Sequence, residues 1–260
     1  MSHGVNPWLL GLASNGTRWV AVGDRGTVLS SDDGLTWTWR VSDPSIALTG
    51  IQWDGRRFVA VGADITTLTS PDGISWERGS PATSSSPRNA IASNGSIYVA
   101  VGGQLVRTVH TSADGADWAL RYVSGEGELL DVLWNGSQFV AVGTGGMVLS
   151  SADGLAWHEG NAGTTASLFS IAWTGSRFVA VGEKGIRLES VDAVRWSPVP
   201  SGTSNDLYRV RAFDGRIFAV GRDGTILAGA CSAERVLAPP TSTSRPGNRR
   251  TREEAPRPRS

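Results

Sequence analysis

Phe58-Val59-Ala60-Val61-Gly62 is one of six versions of a single phrase in this chain. The others are Trp19-Val20-Ala21-Val22-Gly23, Tyr98-Val99-Ala100-Val101-Gly102, Phe139-Val140-Ala141-Val142-Gly143, Phe178-Val179-Ala180-Val181-Gly182 and the variant Phe218-Ala219-Val220-Gly221. The closing glycines are spaced 39, 40, 41, 39 and 39 residues apart. That is the length of one four-stranded propeller blade. A short Val-rich run bounded by Gly reads as a strand covered on both faces, and blades stacked face to face supply that cover. The central alanine leaves room for the neighbouring sheet.

Working outward, each phrase follows an apolar segment, such as Leu129-Leu130-Asp131-Val132-Leu133-Trp134, and a two-residue turn. The turns are Asn15-Gly16, Asp54-Gly55, Asn94-Gly95, Asn135-Gly136, Thr174-Gly175 and Asp214-Gly215. Asn-Gly and Asp-Gly suit type I′ hairpins because both central residues need positive φ. The first two strands of each unit are therefore expected to be antiparallel neighbours. A third strand follows a Gly-containing turn, as in Gly146-Met147-Val148-Leu149-Ser150, and a Ser-Asp-Gly turn then leads to a tryptophan that anchors the fourth. The expected fold is an all-β, six-bladed β-propeller of four-stranded antiparallel blades, spanning residues 1–238. A seven-bladed or incomplete ring is the alternative, because the sixth repeat ends without a clear fourth strand. Glu234-Arg235-Val236-Leu237-Ala238 or residues before Trp8 are the candidates to supply it.

Ser30, Asp32, Gly34, Thr36 and Trp37 match the pattern Ser-x-Asp-x-Gly-x-Thr-Trp. The copies ending at Trp76, Trp118 and Trp157 carry Asp only immediately before Gly, the fifth reads Asp192-Ala193, and the sixth has lost the motif. The pattern resembles the bacterial neuraminidase (BNR) repeat, or Asp-box, of the sialidase superfamily. Val-Gly-x-x-Gly followed by Ser-x-Asp-Gly-x-x-Trp is also similar to the repeats of photosystem II assembly factor propellers. The resemblance spans residues 8–230 and implies a propeller fold. It implies little about activity, since these motifs are structural in the families that carry them.

Eleven tryptophans fit the repeat. Five close the Ser-Asp-Gly turns, and Trp53, Trp134 and Trp173 share one first-strand position, where stacking is the expected use. Cys231 is the single cysteine, which excludes an internal disulfide framework. The start of the chain lacks the basic and apolar regions of a signal peptide, and no stretch approaches the length of a membrane span. A cytoplasmic protein without membrane association is expected. The net charge is zero, yet six arginines against two glutamates place residues 239–260 at +4 and the remainder at −4. That Pro/Ser/Arg-rich tail is expected to be disordered. Its charge suits an acidic partner, and nucleic acid is not the expected target.

His3, His110 and His158 fall at unrelated repeat positions, so no metal site is expected, nor any cofactor. No Gly-x-Ser-x-Gly elbow singles out a nucleophile. The Asp-box resemblance makes a sialidase-like or glycan-binding propeller the competing reading. Such enzymes use three arginines, a Tyr nucleophile assisted by Glu and an Asp acid/base. Tyr208 beside Arg209 and Arg211 is the faint match, and the Arg-Ile-Pro-like segment is missing. A non-catalytic scaffold is the better reading. Residues that stacking does not dictate are then the candidates for binding. The turn between the second and third strands and the link between blades share one face of a propeller. The turns carry Asp24, Arg25, Asp64, Glu183, Lys184, Arg222 and Asp223, a mixed-charge rim suited to a protein partner.

Overall fold

The computed structural model describes residues 7–41, 46–63, 66–79, 86–230 and 233–237. They form six four-stranded antiparallel sheets, each made of four consecutive strands paired in chain order. Blade 1 holds β1 (Leu9–Ser14), β2 (Trp19–Gly23), β3 (Val28–Ser31) and β4 (Thr38–Val41). Blade 2 holds β5 (Leu48–Trp53), β6 (Phe58–Gly62), β7 (Thr67–Ser70) and β8 (Glu77–Arg78). Blade 3 holds β9 (Arg88–Ser93), β10 (Tyr98–Gly103), β11 (Val106–Ser112) and β12 (Ala119–Glu126). Blade 4 holds β13 (Leu129–Trp134), β14 (Phe139–Gly143), β15 (Met147–Ser151) and β16 (His158–Asn161). Blade 5 holds β17 (Leu168–Trp173), β18 (Phe178–Gly182), β19 (Arg187–Ser190) and β20 (Ser197–Pro198). Blade 6 holds β21 (Leu207–Phe213), β22 (Arg216–Gly221), β23 (Ile226–Ala230) and β24 (Ala233–Leu237). The fourth strand of blade 6 thus comes from the residues after Cys231, and each terminal blade completes itself.

Alternation along the second strand divides the core. In blade 2, Phe58 and Ala60 pack with Val20 and Val22 of blade 1. Val59 and Val61 point the other way, onto Tyr98 and Ala100 of blade 3. Successive side chains of a strand face opposite sides of its sheet, so blades 1 to 5 each have an aromatic-and-alanine rear face and a two-valine forward face, whereas blade 6 has Ile217 and Ala219 behind and Phe218 and Val220 in front. The same forward-on-rear contact joins blades 3 and 4, 4 and 5, and 5 and 6. Phe58, Phe139 and Phe178 are fully buried by it, each contributing about 2–3 kcal/mol of apolar burial.

The Ser-Asp-Gly turns follow one plan. Ser31 Oγ donates to Asp33 Oδ1, the Gly34 N–H donates to Ser31 Oγ, and the Leu35 and Thr36 N–H groups donate to Asp33 Oδ1 at 2.8 and 2.7 Å. Trp37 Nε1 closes the turn on the Gly34 carbonyl at 3.2 Å. Asp72, Asp114, Asp153 and Asp192 hold the equivalent pairs of N–H groups. These N–H groups keep all five carboxyls below the usual carboxylate range. The full motif match of the first copy is therefore out of register with the turn. The working residues are Ser31 and Asp33, directly before Gly34, whereas Asp32 pairs with Arg18 at 2.7 Å. Gly154 needs its φ of +79°, and a Cβ there would lie 2.7 Å from Ile97 Cδ1 and 3.0 Å from Val99 Cγ2 of the preceding blade.

Truncating the buried Phe139 to Ala is expected to cost about 3–5 kcal/mol in urea unfolding. The same truncation at Trp19, its half-exposed counterpart in blade 1, is expected to cost about 1 kcal/mol. Asp33→Ala should lower the thermal midpoint by several degrees and Asp32→Ala by no more than about one, a surface ion pair being worth little; equal effects would place the turn in the other register.

Candidate functional site

One face of the ring is built from the β2–β3-type turns and the blade links. The Asp24, Thr144, Glu183 and Arg222 N–H groups donate to the carbonyls of Trp8, Glu128, Ser167 and Asp206, each just ahead of its blade's first strand. The links cross the turns directly: the Gly26 N–H donates to the Ile46 carbonyl, and Ser201 Oγ donates to the Gly185 carbonyl at 2.6 Å. Arg25, Lys184 and Asp223 occupy the first central position of their turns at φ +52°, +53° and +54°. This is the left-handed geometry of a type I′ turn, with glycine following in each case.

The residues proposed from sequence on this rim divide into two groups. Trp8 donates its N–H to Asp24 Oδ1 at 2.8 Å, and Ser167 donates to Glu183 Oε2 at 3.3 Å, so both carboxylates anchor backbone. Lys184 Nζ pairs with Glu183 Oε1 at 2.9 Å, which holds the Glu183 carboxyl down and the Lys184 ammonium up in pKa. Arg222 Nη2 lies 3.7 Å from Asp206 Oδ2. The Lys184 and Arg222 side chains are 82% and 59% exposed, and Arg25 and Asp223 are exposed as well. Asp64 lies outside the described residues, as does the Arg-rich tail 239–260.

The first strands of all six blades surround a central cavity of about 990 Å³. The cavity comes from the spacing of the inner strands rather than from loop material. Trp53, Trp134 and Trp173, read from sequence as stacking residues, line this cavity half-buried and lean on Phe58, Phe139 and Phe178 at 4.5–4.6 Å. Its wall also carries a polar relay. Asp131 is buried and accepts from Ser170 Oγ at 2.7 Å and the Ile171 N–H at 3.1 Å, with Arg211 and Arg209 at 3.6 and 3.8 Å. The Val210 N–H donates to Ser170 Oγ, so one residue per blade clips the next blade across blades 4 to 6. A carboxylate occupied in this way holds structure rather than awaiting substrate. The Tyr208 hydroxyl accepts from Arg222 Nε at 3.4 Å, and its ring sits 5.9 Å from Phe169.

Two substitutions in the stacking pattern escaped the sequence reading. Arg88 takes the place of Leu48, Leu129, Leu168 and Leu207, and His110 that of Leu68, Leu149, Leu188 and Leu227. Both are buried, and the Arg88 guanidinium lies 4.9 Å above the Trp118 ring. Burial pulls Arg88 down to about 10. Burial, and then the Arg88 charge, pulls His110 down to about 4, and neither ring nitrogen of His110 has a hydrogen-bond partner among the described residues. Aligning the six repeats by strand register, rather than searching for ligand spacing, exposes both exchanges.

No protein-family model matches the chain, and a search of curated proteins returns no match. Solved structures do match. YCF48 from Cyanidioschyzon merolae superposes with a TM-score of 0.68 at 16% identity, over 89% of this chain and 87% of that one. A YCF48 bound to D1 peptide gives 0.72 at 18%, over 88% and 82%. A chain of the mitotic checkpoint complex gives 0.70 at 12%, over 91% and 82%. The chain is a β-propeller. At these identities the likeness is one of fold, shared by propellers of quite different settings.

The folded pKa of His110 lies below its ordinary value of about 6.5, so its neutral form supports the fold fully above that pH and loses support as pH falls toward 4. His110→Leu should raise stability by about 1–3 kcal/mol at neutral pH and flatten the decline between pH 6.5 and 4 in a denaturation series. An unchanged acid limb would assign the decline to other groups.

Proposed function

We propose that this propeller is a non-catalytic scaffold that holds a protein segment on the link face, around the mouth of the central cavity. The observation that carries the reading is the division of labour on the rim. Backbone hydrogen bonds pin each turn, Asp24, Glu183 and Asp206 anchor the blade entries, and the Arg25, Lys184 and Arg222 cations project outward from rigid supports. Fixed charged groups around a concave apolar well suit an extended or looped peptide, because little conformational entropy is lost on the scaffold side. The YCF48 propeller solved with a D1 peptide offers a precedent within the fold for peptide binding. An assembly-factor role in the same sense follows as part of this proposal, with Asp64 and Asp223 as acidic rim positions and the Arg-rich tail as an arm for an acidic partner in the cytoplasm.

The sialidase-like alternative draws no support from the Tyr208 surroundings. The hydroxyl meets a guanidinium instead of the carboxylate that would take its proton, and Arg209 and Arg211 lean on the already occupied Asp131. A photo-crosslinking residue in place of Lys184 should capture a discrete protein from the source cell lysate. The triple variant Arg25→Glu, Lys184→Glu, Arg222→Glu should lower its recovery at least about tenfold, charged contacts governing encounter. Unchanged recovery counts against the rim, and sialoside hydrolysis abolished by Tyr208→Phe would overturn the non-catalytic reading.

A further inference from the structure

Five junctions of the ring bury a forward face on a rear face, and the sixth leaves large apolar side chains of both faces uncovered. On blade 1, Leu12 is 57% exposed and Trp19 43%, where Ile171 and Phe178 at the same positions of blade 5 are 2% and 0%. On blade 6, Val220 is 45% exposed and Ile226 39%, where Val142 and Val148 are 0%. Core clusters span every consecutive pair of blades from 1–2 to 5–6, and none among the described residues spans blades 6 and 1. Strand pairing does not stitch the seam, because both terminal sheets are built entirely from their own residues.

The polar fittings of the seam are halved in the same way. Arg18 and Arg57, next to the hairpin turns of blades 1 and 2, donate to the carbonyls of Asp72 and Asp114 in the Ser-Asp-Gly turn of the following blade, at 2.7 and 3.4 Å. Arg216 holds this position in blade 6 and is exposed. On the receiving side, a Cβ on Gly73, Gly115 or Gly154 would lie 2.7 Å from a side chain of the preceding blade. At Gly34 of blade 1 only the same blade's Trp19 comes within 4 Å.

From this we infer that the seam between blades 6 and 1 is a socket for one further β-sheet supplied by a protein partner, apolar on both faces and carrying a carboxylate at its axial edge. The two walls make different demands. Leu12 and Trp19, beside the buried Ala21, call for a slim two-valine face, and Val220 and Ile226, beside the half-buried Phe218, call for an apolar face with a small residue opposite that ring. Only a sheet with both faces uncovered meets both. A second copy of this chain offers one uncovered face at each end and leaves half of the socket open. Residues 238–260, rich in Pro and Arg, lack the alternating apolar pattern of a blade strand. The carboxylate follows from charge: Arg209 and Arg211 pair with Val220 and Phe218 in the blade 6 ladder and line the cavity beside the socket, sharing the single carboxylate of Asp131 between them. The cavity itself runs out toward this opening, since Ala21 and Trp37 of the blade 1 rear face are among its lining. Apolar surface of this extent on two facing walls marks an interaction site rather than an ordinary solvated surface.

The inference rests on the protein-binding reading only in that the occupant is a protein, and its test needs no natural partner. A copy of residues 129–166, which form blade 4 and its outgoing link and include Asp131, is fused directly before Trp8 in the full chain. The fusion should remain monomeric by sedimentation and unfold at least about 5 °C above the parent. It should also lose the parent's binding of a hydrophobic dye and protect the Leu12–Val22 amides from hydrogen exchange. Adding Trp19→Asp and Val220→Asp to the fusion should cancel the gain, whereas in the parent, where both residues are half-exposed, the same pair should lower the midpoint by only a few degrees. An unchanged midpoint and dye signal in the fusion would overturn the socket. So would a parent chain that self-associates with its Leu12–Val22 amides already protected, which would make a second copy the occupant, or a monomeric parent with those amides protected, which would mean a seam closed on itself. Any of these failures would leave the rim and its crosslinking result standing.

Discussion

The contact on which this molecule depends is a pair of valines from one sheet laid against an aromatic ring and an alanine of the next. Sheets pack about 10 Å apart, and a large side chain on one face is accommodated only where the facing residues are small or slim. Phe58 and Ala60 against Val20 and Val22 meet that condition, and so do Phe178 and Ala180 against Val140 and Val142. Because blades 1 to 5 each have one face of each kind, and blade 6 offers Ile217 and Ala219 to the valines of blade 5, the contact repeats from blade to blade, and the ring is stabilised as a sum of neighbour terms rather than around one central core. The Ser-Asp-Gly turns serve the same contact. Their glycines let the turn of one blade lie against the side chains of the blade before it, and the carbonyls preceding those glycines accept Arg18 and Arg57 from that blade.

Departures from the contact carry the information about everything else. Arg88 and His110 put two basic groups where all five other blades, Leu9 and Leu29 of blade 1 included, have leucines at each position, and the Trp118 ring partly replaces the lost apolar surroundings of the guanidinium. The burial of His110, beside the Arg88 charge, adds an acid-sensitive group at the junction of blades 2 and 3. Asp131, Ser170 and Arg209 occupy equivalent positions on β13, β17 and β21, where blades 1 to 3 have Gly11, Gly50 and Ala90. A Cβ at Gly11 would come within 3.0 Å of Val22 Cγ2 and 3.2 Å of Ile51 Cγ2, so the first half of the ring closes tightly at the axis and the second half is held by polar clips.

The two candidate binding regions follow from different physics. On the rim, backbone bonds do the structural work, and side chains such as Lys184 are left to solvent and partners. At the seam, the side chains themselves are the structural material, and they lack the sheet that every other junction provides. The first is a polar surface whose contribution is greatest in steering and selectivity. The second is an apolar surface whose contribution is greatest in affinity.

Six glycine-punctuated repeats, with Asn-Gly and Asp-Gly hairpins between alternating apolar runs, pointed to six four-stranded blades and to the pairing within them, whereas the fourth strand of the sixth and the exclusion of a further blade among the described residues came from the structure. Those features rest on local chemistry and period-two alternation, although only Asp214-Gly215 is the two-residue type I′ turn expected; the other five hairpins loop over four residues, and at Asn15, Asp54, Asn94 and Asn135 the side-chain oxygen accepts the N–H three residues on. The turns of the rim were legible as variable positions that stacking does not constrain, and the structure places the described ones on one face. Three further matters were settled only by tertiary structure. Asp33 rather than Asp32 works the first turn, because register depends on which N–H groups the carboxylate can reach. Trp53, Trp134 and Trp173 line a cavity as well as stacking, because the diameter of the ring sets how much of each ring is covered. Whether blade 6 covers blade 1 was also hidden, since the first repeat carries the same stacking pattern as the next four and the variant sixth keeps its Ala219 and Val220, so only the burial of Trp19 and Val220 distinguishes the seam.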